Sequence, residues 1–397
     1  MHGEATGQSS AARVAAVAAP ARPSGEFHIP SLDGIRAFSF LIVFAAHAGA
    51  AKFGIPGGFG VTVFFFLSGY LITTLLRLEF TNAGTISLRD FYLRRVLRIF
   101  PPFYAVLLVA LVLTALQVVP GKLEATPVLA QLGHFTNYWA IGHGFAGQPG
   151  GTAVYWSLAV EEHFYLVFPF LFLALQKVLP RRWGTQGLLL FGLCGVVLLW
   201  RLYLVQRLGV SEDRTYLASD TRLDSILFGC ALALAANPML DRPRLPAKLF
   251  RWVLLPAGVL LLVFCFVYRA GDFRETYRYS LQGLGLAPVF VGAMREPRLW
   301  LFRALNLAPV KRVGVLSYTL YLVHHVVIET LQRWLPSVNA VLLGGLALGV
   351  ALLLANLVHQ QIERPCARLR RRLAHAEWLS APAPAGAATA AAGAGRA

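Results

Sequence analysis

The chain has 397 residues, 57% of them hydrophobic and only 14% charged, with a mean hydropathy of +0.60. That composition excludes an ordinary soluble domain and matches a polytopic membrane protein. The net charge of +17 invites a nucleic-acid reading, but its distribution follows membrane topology and argues for no nucleic-acid partner.

Ten stretches are long and apolar enough to cross about 30 Å of hydrocarbon. They run over 32–51, 58–76, 100–118, 154–175, 187–206, 220–236, 252–268, 280–294, 313–331 and 339–358. The eighth is short and interrupted by Gly and Pro. The expected fold is therefore all-α, a bundle of about ten transmembrane helices. With the N-terminus in the cytosol, 25 of the 36 Lys and Arg residues fall on the cytosolic side, eight fall outside, and Arg36, Arg201 and Arg222 lie within spans. This asymmetry predicts an inner (cytoplasmic) membrane protein with both termini cytosolic and the lipid bilayer as its surroundings.

Residues 1–27 read as a disordered cytosolic tail. Their apolar run is mostly Ala and is broken by Arg13 and Pro20, unlike a signal peptide. Residues 373–397 are rich in Ala, Pro and Gly and read the same way. Residues 28–372 then form one membrane domain. Fewer than 40 residues follow the last span, too few for an appended extracytoplasmic enzyme domain. Cys194, Cys230, Cys265 and Cys366 have no paired spacing, so neither a disulfide framework nor a metal site is expected.

The first span carries Arg36 and His47 in LDGIRAFSFLIVFAAHAG. Ionisable residues are costly in an apolar span and usually functional. Eleven helical residues turn through about 1100° and rise about 16 Å. Both side chains then share one face, with Arg36 near one membrane surface and His47 more than halfway across. Snorkelling for Arg36 and a structural hydrogen bond for His47 are the plain alternatives; together on one face, the pair favours function. Ser31 or Asp33 can cap the helix.

The second span, GGFGVTVFFFLSGYLIT, is glycine-rich, which suits close helix packing. Ser68 and Gly69 can kink it or admit a ligand to its backbone. The following ISLRDFYLRRVLRIFPPFY places Arg95 and Arg98 three apart, on one helical face at the cytosolic surface. Guanidinium forks there suit phosphate groups, with lipid-headgroup anchoring as the alternative. Pro101 and Pro102 are expected to break or restart the helix.

The fourth span opens as AVYWSLAVEEHFYLVFPFL. Run from the outer face, it puts Glu161 and Glu162 about two turns deep, level with His47, with Glu161 one turn after Ser157 on the same face. A carboxylate there can orient an imidazole and raise its basicity, making it a general base for a hydroxyl. Trp156 and Tyr155 also suit an interfacial aromatic belt. The sixth span begins TRLDSILFGCALAL, where Asp220, Arg222 and Asp224 form either an acceptor-binding rim or a structural ion pair. In SYTLYLVHH of the ninth span, only one of His324 and His325 can share a face with Tyr321 or Ser317.

Taken in order, LDGIRAFSFLIVFAAH, FFFLSGYLIT, FYLRRVLRIFPPFY, WSLAVEEHFY, TRLDSILFG, SYTLYLVHH and the exit IERP resemble acyltransferase family 3, the integral membrane O-acyltransferases, over about residues 28–372. The resemblance implies transfer of an acyl group, usually acetyl, from cytosolic acyl-CoA (acetyl-CoA) to a sugar hydroxyl outside. Implied acceptors are glycans or glycolipids such as cell-wall glycan, lipopolysaccharide or exopolysaccharide. It implies catalytic roles for Arg36, His47 and Glu161, and acyl-CoA binding by Arg95 and Arg98 with Arg36 further along the path. Trp156, Ser157, Arg222 and Asp224 are the expected acceptor contacts. Some relatives carry a fused extracytoplasmic esterase-like domain, so relay through such a domain here implies separate glycan-assembly partners. The competing reading is a proton-coupled secondary transporter, against which no internal repeat with matching broken helices is seen. A non-catalytic export or assembly factor is a third, and predicts that loss of His47 is harmless.

Overall fold

Every regular element among the described residues, 30–373 of the computed structural model, is helical. In chain order they are α1 (Pro30–His47), α2 (Gly57–Ala83), α3 (Leu88–Ala115), the short α4 (Ala125–Leu132) and α5 (Thr136–His143), then α6 (Trp156–Val178), α7 (Trp183–Leu208), α8 (Glu212–Leu217) and α9 (Ser219–Ala235). After these come α10 (Ala247–Leu249), α11 (Leu255–Val267), α12 (Gly271–Glu275), α13 (Tyr277–Arg295), α14 (Trp300–Arg303), α15 (Ala308–Trp334), α16 (Ala340–Val358) and α17 (Arg364–Leu373). π-helical turns join α10 to α11 and α16 to α17. The expected tails, 1–27 and 373–397, lie outside the described residues, except that Leu373 closes α17.

Seven stretches are long and apolar enough to cross a membrane: α2, α3, Ala153–Val178, α7, Ala247–Val267, α15 and Ala340–Leu373. The first, sixth and eighth expected spans are also helical, as α1, α9 and α13. They have only 18, 17 and 19 residues, and they carry Asp33 and Arg36, then Asp220, Arg222 and Asp224, then Arg278 and Arg295. The expected count of ten thus divides into seven clear spans and three shorter or more polar helices. Those three are packed among the others: α1 against α15 and α2, α9 against α7 and α2, and α13 against α11. Polar residues fit such inner helices because neighbouring helices, rather than lipid, satisfy them.

The glycines of α2 pack as expected. A Cβ at Gly69 would stand 2.0 Å from the Ile226 carbonyl oxygen, and one at Gly229 would stand 2.0 Å from that of Phe66. The backbones of α2 and α9 therefore touch at a point that no larger residue fits.

The helix break expected at Pro101 and Pro102 is absent: α3 runs unbroken through both. Ser87 starts it by accepting from the Asp90 amide at 3.2 Å. The prolines remove two intrahelical donors. The carbonyls deprived of a donor are those of Leu97 and Arg98; in the same turn the Ile99 carbonyl accepts from the Tyr318 hydroxyl of α15 at 2.9 Å, which ties α3 to that helix.

The start of α6 sets the depth of everything that follows. The segment before it folds inward. Gln131 bonds Gln148 and Thr152 at 3.0 and 2.9 Å, all three buried. Gly151, at φ 72°, lies against the Val326 backbone of α15. The Tyr155 hydroxyl donates to the Leu322 carbonyl at 2.9 Å. The first turn of α6 is thereby level with the middle of α15, and α15 continues to Trp334, about 18 Å beyond Leu322.

Candidate functional site

Arg36 and His47 share a face of α1, and that face meets α15. Arg36 Nε donates to Ser317 Oγ at 3.2 Å. Eleven residues on, His47 Nδ1 lies 3.0 Å from His324 Nε2. His324 is fully buried, with the Phe40 ring edge-on to it at 5.7 Å and its Nδ1 2.8 Å from the Tyr321 carbonyl oxygen. His47, the last residue of α1, is half-buried. The His325 ring lies beside it, centroids 4.7 Å apart and planes tilted by 59°, and its Nδ1 lies 3.3 Å from Glu329 Oε1.

A cavity of about 1020 Å³ opens at the arginine end of α1, and His47, His324 and His325 are not among the residues that line it. Its inner end is formed by Ser157, Tyr321 and Phe64. Ser157 Oγ and the Tyr321 hydroxyl are 2.7 Å apart, so one donates to the other, and the Val154 carbonyl oxygen lies 3.1 and 3.0 Å from them to accept the remaining proton. The two imidazoles lie one helical turn further along α15. Arg36, Arg95 and Arg98 all line the cavity. The Arg95 guanidinium lies over the Tyr165 ring at 5.3 Å.

Glu161 is not beside His47. Its Oε1 accepts from Ser68 Oγ at 2.8 Å and its Oε2 from the Tyr165 hydroxyl at 3.1 Å, inside the same cavity as Arg36 and Arg95. The expected depth assumed that α6 starts at the membrane surface. Because the 144–155 segment dips to the level of Leu322, Glu161 falls below the histidines, on the arginine side. The partner of His47 is another imidazole.

Two further expected acceptor contacts have structural places instead. Asp224 and Arg201 are fully buried and paired through both oxygens, at 2.8 and 2.6 Å. Ser280 Oγ adds a 2.7 Å bond to Asp224. This network ties α7, α9 and α13 together. Arg222 is enclosed by aromatic rings, 4.1 Å from the Tyr279 centroid and 5.3 Å from that of Tyr216, and donates to Thr62 Oγ1 at 3.1 Å. Trp156 is buried in the same cage, its ring centroid 4.7 Å from that of Tyr216, and is no surface-belt residue. Neither Arg222 nor Asp224 lines the cavity. Ser157 does.

The cavity also has residues that sequence reasoning missed. Arg364 and Arg368 of α17 line it, as do Arg370 and Arg371. Glu363 accepts from Thr319 Oγ1 and from His359 Nδ1, the latter at 2.6 Å. The available signal was the run IERPCARLRRRL directly after the last span. It reads as ordinary positive-inside charge until its helix folds back over the arginines of α3, which it contacts.

Outside the spans, His134 packs between the rings of Phe100 and Phe103, centroids 5.4 and 4.5 Å away. Burial, and secondarily His163, lower its pKa to about 4. Among the described residues, no three His, Cys, Asp or Glu side chains converge as metal ligands.

A family model described as an acyltransferase domain matches residues 29–359. The chain is 32% identical over 321 residues to the candidate peptidoglycan O-acetyltransferase YrhL of Bacillus subtilis, covering 76% of this chain and 49% of that one. It is 31% identical over 315 residues to the peptidoglycan O-acetyltransferase OatA of Listeria monocytogenes, with the same two coverages. A candidate O-acetyltransferase of Staphylococcus aureus strain COL is 28% identical over 322 residues, 77% of this chain and 52% of its own length. The chain thus spans about half the length of the curated relatives it matches. No solved structure matches it.

Proposed function

The chain belongs to this acyltransferase family, and from that premise we propose that it is an integral membrane O-acyltransferase. In this reading it moves an acyl group, acetyl by preference, from cytosolic acyl-CoA to a sugar hydroxyl of an extracytoplasmic or exported glycan. The observation that carries the proposal is the alignment, along one face of α1 and α15, of Arg36 and Tyr321 lining an arginine-rich cavity with the His47–His324 pair one helical turn beyond it. The names of the relatives support acetyl as the group and peptidoglycan as the class of acceptor.

The arginine end faces the cytosol, in keeping with the charge asymmetry of the chain. Arg95, Arg98, Arg364 and Arg368 take the phosphates of the donor, for which their forked donors are suited. The pantetheine arm follows the cavity past Arg36 and Glu161 toward Ser157 and Tyr321, which brings the thioester near the histidines. His47 Nε2 accepts the proton of the acceptor hydroxyl as its oxygen bonds to the thioester carbonyl carbon. The C–S bond then breaks, and the proton passes to the departing thiolate, leaving an ester and free CoA. A positioned base of this kind contributes about 10²- to 10⁴-fold. Glu161 holds Ser68 and Tyr165 and offsets the crowded guanidinium charge, rather than assisting His47. Ten membrane crossings with both termini cytosolic belong to this reading. So does a separate glycan-assembly partner on the outer face.

The test is the alkali-labile acetyl content of purified envelope and secreted glycans from cells with and without the chain. A glycan that loses its acetyl esters in the deletion, and regains them with the wild-type chain, identifies the acceptor. Unchanged acetyl content in every glycan fraction would contradict the proposal.

A further inference from the structure

We propose that His324 is the positioning residue of the site: it holds His47 as the tautomer protonated on Nδ1, leaving Nε2 with its lone pair toward the acceptor. The inference rests on the acyltransfer reading for its functional consequence, and on hydrogen-bond direction alone for its structural content.

The direction follows from a fixed end point. A backbone carbonyl oxygen only accepts. The 2.8 Å contact between His324 Nδ1 and the Tyr321 carbonyl therefore places a proton on that nitrogen. A neutral imidazole carries one N–H, so His324 Nε2 is an acceptor. The 3.0 Å contact to His47 Nδ1 is then filled only if His47 donates. His47 in its neutral form has no second proton, and its Nε2 is the basic atom. When Nε2 takes a proton, the Nδ1–H bond to His324 becomes charge-assisted and holds the imidazolium in place.

Nothing else at the site does this work. Glu161 is engaged by Ser68 and Tyr165 on the other side of Tyr321. His325 lies 4.7 Å from His47 by ring centroids with the two planes 59° apart, and its buried Nδ1 makes no hydrogen bond, to His47 or to any other group among the described residues. His324, in contrast, is fully buried and held edge-on by Phe40. A buried ring with one nitrogen bound to its own helix is a rigid acceptor. Where a carboxylate fixes the tautomer of a catalytic histidine, its loss through the wrong tautomer costs up to about 10⁴-fold. An imidazole is a weaker orienting group, so about 10²-fold is expected here.

The test uses the full chain in lipid nanodiscs with nitrogen-15-labelled histidine. The His47 resonances are assigned by their disappearance in His47→Ala. In the wild type, Nδ1 is expected to be the protonated nitrogen and Nε2 the bare one. His324→Leu is expected to shift His47 toward the Nε2–H form and to lower kcat about 10²-fold, with KM for acetyl-CoA changed less than about twofold. His324→Gln, whose amide oxygen can accept from His47, is expected to restore the Nδ1–H form and part of kcat. A wild-type His47 protonated on Nε2 overturns the proposal, as does a His324→Leu protein with wild-type kcat. The tautomer is read with no acceptor present. A predicted tautomer in a protein that transfers no acyl group would refute the functional reading while leaving the His324 assignment standing.

Discussion

His47 and His324 are joined ring to ring at 3.0 Å, and His324 is in turn anchored on the backbone of Tyr321, whose phenol closes the inner end of the arginine-lined cavity. One residue of α15 thus has its side chain facing the arginine-lined cavity and its carbonyl bracing the histidine pair. The site is a vertical sequence along two adjacent helices, Arg36 and Ser317 below, Tyr321 between, His47 and His324 above.

The donor end is tested by charge removal. Replacing Arg95 and Arg98 together with Gln should weaken CoA binding at least about tenfold, because charge-assisted bonds contribute about 1.5–3 kcal/mol each. Arg364→Gln with Arg368→Gln should weaken it in the same direction. Calorimetric titration of CoA into the solubilised chain at low and moderate salt measures both. Unchanged affinity in the two double variants would leave these arginines as lipid anchors. Lys at position 95 or 98 should rescue only partly, since it keeps the charge and loses the fork.

The buried pair of Arg201 and Asp224 should behave as structure. Asp224→Asn leaves a guanidinium with no counter-charge in a site of 0% exposure, and should cost about 3–5 kcal/mol. Replacing both, as Arg201→Met with Asp224→Leu, should recover most of the folded yield in detergent together with near-normal transfer. Transfer lost in a well-folded double variant would return Asp224 to the acceptor site.

His134 supplies a pH dependence. Its folded pKa is lowered to about 4 from an ordinary value of 6.5. The unfolded chain therefore binds the proton first as pH falls, and stability is lost between about pH 6.5 and 4, by at most about 3 kcal/mol. Above pH 6.5 the group contributes nothing to the slope. His134→Phe should flatten the decline in thermal midpoint between pH 7 and pH 5 relative to the wild type. Parallel declines would show that the imidazole ring stays solvated.

The proposed sidedness, with the arginine end cytosolic, is tested by thiol labelling. Single cysteines at Ala51 and Ala146, both exposed, should react with an impermeant thiol reagent on intact cells, in a background lacking Cys194, Cys230, Cys265 and Cys366. A cysteine at Ala83, exposed at the end of α2, should be spared. Labelling of position 83 alone would put the arginines outside, away from cytosolic CoA.

Much of this site was legible in the sequence, for a simple reason. The eleven-residue spacing of Arg36 and His47 fixes a shared face whatever the helix packs against, and α15 is what it meets. Arg95 and Arg98 share their face by the same periodicity. Glu161 was misplaced because depth was counted from the start of a span, and a sequence does not reveal that the loop before α6 folds inward to meet Leu322 and Val326. The partner of Asp224 was equally hidden, since Arg201 stands in a different span and only the packing of α7 on α9 brings them together. Pro101 and Pro102 misled for a related reason: α3 is held in the bundle at that turn by contacts such as Tyr318 to the Ile99 carbonyl, from a helix more than 200 residues away.

Whether His47 is the base of an acyl transfer is decided by comparing wild type and His47→Ala in the same assay. The full chain and the variant are expressed in the deletion background, membrane levels are equalised, CoA affinity is titrated on the purified proteins, and acetyl esters on the acceptor glycan are counted. Equal insertion and equal CoA affinity are expected, with acetyl esters reduced by at least about 10²-fold in the variant. Wild-type acetylation by a correctly inserted His47→Ala protein would contradict that role.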